Sequence, residues 1–150
     1  EQEKDMGYFF DMELNLNKLT EFCVRLLSTK GHTKMQATAS YYTMVLHLEE
    51  IGDSYKEIVE LISEHEGKIN PKLIKIMKEI NDFHRQLTKV LNSYSLENAI
   101  ALADKRDEIH NKIIKELRKV TAPKDAQILI EQKYLVRNII RVMNEQMNLH

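Results

Sequence analysis

Apolar side chains recur along this chain at alternating steps of three and four, the spacing that gathers them on one side of an α-helix. The first run, Phe9, Met12, Leu16, Leu19, Cys23 and Leu26, stops before Gly31, a residue suited to the left-handed position that closes a helix. A second opens at Thr33, which with Gln36 has the form of a capping box, and passes through Met44, Leu48, Ile51, Tyr55, Ile58 and Ile62 to Gly67. Asn70 and Pro71, an N-cap and a first-turn proline, open a third through Leu73, Ile76, Ile80, Phe83, Leu87 and Val90. These three runs repeat every seven residues. A fourth helix is expected from about Ser95, with Leu102, Ile109, Ile113 and Leu117 facing inward and Ala99 and Arg106 on a looser edge. A fifth is expected from about Asp125 toward Met147, with Leu129, Val136, Ile140 and Met143 on one stripe and Leu135, Ile139 and Val142 beside it. No stretch alternates as a strand does. Long helices joined by short turns pack antiparallel, so the pattern predicts an all-α, up-down helical bundle of about five long helices, in one domain over residues 1–150.

Composition narrows the partners. A chain of 150 residues with 43% hydrophobic side chains can build its own core. Lys and Arg total 22 and Asp and Glu 23, so no net field draws in nucleic acid or an anionic membrane. Cys23 stands alone, in a register that packs it inward as a thiol rather than a nucleophile, and a reducing, cytoplasmic setting is expected. No apolar run approaches the roughly 18 residues of a membrane span, and the opening EQEKDMG lacks a secretory signal pattern.

One stretch breaks the helical economy. In HLEEIGDSYKEI, residues 47–58, Gly52 stands inside strong helix, where glycine costs about 1 kcal/mol relative to alanine. A glycine there lets a backbone or ligand approach closely. At about 100 degrees per residue, Glu49, Asp53, Lys56 and Glu60 share one side of the helix, and Glu49 and Asp53 stack as i,i+4 neighbours. Two such carboxylates repel unless a cation or a basic side chain such as Lys56 stands beside them.

The run LEEIGDSYKEIVE, Leu48 to Glu60, resembles the LERIGD-x-A-x-N-I-A-E signature of the PhoU family, helical regulators of phosphate uptake. The stretch from Phe22 to Ser28 is similar to that family's C-x-x-L-L-A segment. Lys105 to His110 and Tyr134-Leu135 stand where its second-half motifs would lie. The resemblance implies paired three-helix bundles, the first lacking a helix here, because only about ten residues precede Asp11. It implies a shortened relative or a piece of a longer protein, such as the cytoplasmic domain of a sodium/phosphate cotransporter. In that family carboxylates from facing helices hold clusters of metal ions. Carried over, this gives a site at Glu49, Asp53 and Asp11, with Asn15 and Glu50 as further candidates, for iron, zinc or another divalent ion. In the second half Arg106, His110, Val136 and Ile140 replace the acids, so no carboxylate cluster is expected there. The implied function is non-enzymatic: docking on a phosphate transporter or sensor kinase, with a homodimer as a further partner. The alternative is a self-associating structural bundle whose acidic face is only solvated.

The six histidines make neither Glu-x-x-His nor His-x-x-x-His, and Asp107 with His110 is the nearest approach to a ligand pair. His47 reads as a packed, hydrogen-bonded imidazole. Tyr8-Phe9-Phe10 and Tyr41-Tyr42 lack basic interleaving and read as core and interface.

Overall fold

The computed structural model describes residues 2–150, with side chains from Gly7 onward. Five helices follow one another: α1 (Gln2–Lys30), α2 (Met35–Ser63), α3 (Pro71–Asn92), α4 (Leu96–Leu117) and α5 (Pro123–Asn148). The all-α bundle expected from the heptad pattern is what forms, and the described residues contain no strand. Among them no helix is long and apolar enough to cross a membrane.

The local signals for α3 and α4 act as written. Asn70 Oδ1 accepts from the amide of Lys72 at 3.0 Å with Pro71 in the first turn, and Ser95 Oγ accepts from the amide of Asn98 at 3.1 Å. Gly31 closes α1 at φ 66, and its amide donates to Leu27 O at 3.0 Å. The α2 start departs from the expected capping box. Lys34 occupies the N-cap with no side-chain hydrogen bond. It is Thr38, one turn inside α2, whose hydroxyl accepts from the amide of His32 at 2.9 Å. Thr38 therefore takes up one orphan amide of the α1–α2 turn, and Thr33 is not used. α5 begins at Pro123 rather than Asp125, because proline fits the first helical turn without needing a donor.

The core lies where α5 meets α2, α3 and α4. Every apolar position predicted for α3 is buried, and Ile80 and Phe83 are fully so. Ile109 and Ile113 of α4 and Leu129, Leu135, Ile139 and Val142 of α5 complete the centre. α5 buries both of its stripes because it is surrounded on three sides. Gln132, also buried, donates from Nε2 to Leu73 O at 2.9 Å, a polar tie between α5 and α3. At one end His65 Nε2 lies 3.0 Å from Asp125 Oδ1, joining the turn after α2 to the first turn of α5.

α1 stands apart from this arrangement, since among the described residues it packs on α2 alone. Thr20 is its one buried residue among those described, whereas Tyr8, Leu19 and Phe22 are each more than 60% exposed. The predicted first run splits. Phe9, Leu16 and Cys23 turn partly toward α2, while Met12, Leu19 and Leu26 face outward.

Candidate functional site

The place of Gly52 inside α2 has a geometric reason. A Cβ built on Gly52 would lie 2.3 Å from Leu16 Cδ2, inside any van der Waals contact, so the glycine is the seat of a leucine from α1. What approaches is a side-chain methyl rather than a backbone. Around this seat Phe9, Met12 and Leu16 of α1, Leu48, Ile51 and Tyr55 of α2, and His84 of α3 line an apolar groove of about 480 Å³. Tyr55 and His84 supply its polar floor. The Tyr55 hydroxyl donates to Asn81 Oδ1 at 3.0 Å and lies 3.1 Å from His84 Nδ1, with the two rings stacked at 5.7 Å. The one phenolic proton goes to Asn81, so His84 Nδ1 carries a hydrogen toward the Tyr55 oxygen in the neutral tautomer. Burial pushes the Tyr55 pKa up to about 12, with Arg85 opposing the rise, and burial lowers that of His84.

The His84 shift sets a pH dependence. Its folded pKa lies below the unfolded value, so the unfolded chain binds the proton more readily. The stability this group contributes is present above the unfolded value of 6.5 and is lost as pH falls through the folded pKa. Chemical denaturation from pH 8 down to pH 5 is expected to show stability declining below neutrality, and His84→Gln to flatten that decline.

The expected metal set does not assemble. Leu16 sits on Gly52, and that phase turns the row Glu13, Leu16 and Thr20 toward α2 while Asp11 and Asn15 point outward as exposed residues. The α1 carboxylate that reaches across is Glu13, which accepts from Asn17 Nδ2 at 2.7 Å and meets Lys56 Nζ at 3.4 Å. Lys56 is thereby directed to Glu13 rather than easing Glu49 and Asp53. Asp53 instead borders a shallow surface toward α5, beside Arg137 and Arg141. Glu50 accepts from His47, at 2.9 Å, and has Arg141 Nη1 at 3.8 Å. Arg141 of α5 therefore supplies the positive charge beside Glu50. Among the described residues no three His, Cys, Asp or Glu side chains come together to share an ion. Of the expected set, Glu49, Glu50 and Asp53 lie on α2, while Asp11 and Asn15 on α1 are exposed.

Asp107 pairs with its neighbour Arg106 rather than with His110. What the sequence reading missed is a second heptad row on α1: Tyr8, Met12, Asn15, Leu19, Phe22 and Leu26, spaced four, three, four, three and four, all exposed. Its signal was present, but Met12, Leu19 and Leu26 belong equally to the row read from Phe9, and only packing separates the two. This outward seam borders the groove through Met12. Compared with known protein families, curated proteins and solved structures, the chain matches none.

Proposed function

We propose that this chain is a non-catalytic protein-interaction domain that docks a partner helix along the outward seam of α1. The observation that carries the reading is that seam itself: five large apolar side chains and one asparagine on a helix supported from one side only. A compact protein of 17.7 kDa exposes about 7,900 Å². This one exposes 9897 Å². The surplus exceeds the roughly 800 Å² that one partner gives to a standard interface. The LEEIGD resemblance supports phosphate transport or phosphate signalling as the setting, with a transporter or a sensor kinase as the partner on the cytoplasmic side of a membrane. Such a helix would enter as amphipathic ligands enter grooves, apolar anchors first.

The test is a binding measurement of the chain against the cytoplasmic helices of a phosphate transporter and its sensor kinase. Leu19→Asp with Phe22→Asp is expected to weaken binding at least tenfold while leaving the melting temperature close to wild type. Binding that ignores these substitutions, or absence of binding to either partner, contradicts the reading.

A second reading, self-association, is favoured by the order of the seam. Laid antiparallel on a copy of itself, it sets Tyr8 opposite Leu26, Met12 opposite Phe22 and Asn15 opposite Leu19, so each aromatic meets an aliphatic chain. Asp11 then approaches Arg25, and the polar Asn15 restricts the register. Sedimentation showing a monomer at every concentration would eliminate this reading and leave the first untouched.

A further inference from the structure

We infer that the cavity between α4 and α5 binds an organic anion with a hydrocarbon body, a carboxylate or a phosphate monoester. The cavity measures about 440 Å³, within the range of about 300–1,000 Å³ usual for small-molecule sites. Its floor is aliphatic, with Val136 and Ile140 buried. Its rim carries three cations, Arg106 from α4 and Lys133 and Arg137 from α5, with the His110 imidazole beside them as a further polar group. No carboxylate lines it among the described residues, although acids slightly outnumber Lys and Arg in the chain as a whole.

The rim is also short of partners. Among the described residues neither Lys133 nor Arg137 forms a salt bridge; the Arg137 guanidinium is instead held 4.7 Å above the centre of the Tyr134 ring, which orients it while leaving its N–H groups for an oxygen acceptor. Arg106 is paired in charge with Asp107 Oδ1 at 2.9 Å, but its buried Nε makes no hydrogen bond, so among the described residues the cations without an ion pair here are Lys133 and Arg137. Like charges gathered over an apolar floor repel, and an anionic headgroup offsets that repulsion. A metal cation would aggravate it. A free inorganic anion would satisfy the rim and leave the floor uncovered, which is why the ligand needs a hydrocarbon body. The site uses Arg106, His110, Val136 and Ile140 together and does not depend on what docks along α1.

Calorimetric titration of the full chain, with each probe below its micelle concentration, tests this. Decanoate and decyl phosphate are expected to bind with one site each, and their order of affinity distinguishes a carboxylate from a phosphate headgroup. Decyltrimethylammonium and inorganic phosphate are expected to bind at least tenfold more weakly. Lys133→Gln with Arg137→Gln should weaken both anions at least tenfold with an unchanged thermal melt, whereas Leu19→Asp with Phe22→Asp should leave them unaffected. Equal binding of the cationic and anionic amphiphiles, binding lost with the α1 substitutions instead, or no binding of either anion overturns the inference.

Discussion

Phe83→Ala is expected to lower the free energy of unfolding by about 3–5 kcal/mol, read from denaturant midpoints at constant slope. Phe83 is fully buried in the α3 stripe, within the cluster shared with α4 and α5. Truncation removes the transfer free energy of the ring and leaves a cavity, because close-packed neighbours relax only partly. Against a total stability of about 5–15 kcal/mol this is a large share. The same logic gives the opposite expectation on α1. Leu19 is 63% exposed, so Leu19→Ala is expected to change stability by no more than about 0.5 kcal/mol. A comparable loss at both positions would mean that α1 is as fully packed as α3.

The two halves of the chain differ in how much of them could be read in advance. In α3, Leu73, Ile76, Ile80, Phe83, Leu87 and Val90 form one unambiguous stripe, its N-cap has a single candidate, and both are realised. α1 is apolar at too many positions for one stripe. Two heptad rows share Met12, Leu19 and Leu26, and choosing between them requires knowing which phase α2 accepts. The α1 carboxylate that faces α2 was misassigned for the same reason: it is Glu13 rather than Asp11. Asp11 and Glu13 differ by about 200 degrees around a helix, so an error of phase exchanges one for the other. Gly52 was legible as a close approach, but the sequence does not say that the approaching group is Leu16. The cation-rimmed cavity was half visible, since Arg106 and His110 stood out on α4 while Lys133 and Arg137 acquire meaning only once α5 lies beside them.

The seat of Leu16 on Gly52 thus decides the phase of α1, and with it both the outward turn of Asp11 and the exposure of the apolar seam. Ordinarily Gly→Ala inside a helix stabilises by about 1 kcal/mol. Here the new methyl would stand 2.3 Å from Leu16 Cδ2, too close for both to stay where they are. The clash is with the far end of a flexible side chain, its Cγ standing at 3.7 Å, so Leu16 can relieve it by moving that methyl, at a cost in its packing on α2. Gly52→Ala alone is therefore expected to yield no stabilisation, its helical gain being offset by the displaced leucine. Once Leu16 is truncated nothing opposes the methyl, and the gain of about 1 kcal/mol returns.

The most direct measurement is accordingly a double-mutant cycle in unfolding free energy over Leu16→Ala, Gly52→Ala and the pair together. The seated leucine predicts that Gly52→Ala stabilises the Leu16→Ala background by about 1 kcal/mol and the wild type not at all, a coupling of at least about 1 kcal/mol. The same gain in both backgrounds, additive within about 0.5 kcal/mol, would show that Leu16 does not occupy that seat and would contradict the phase of α1 on which the docking surface rests.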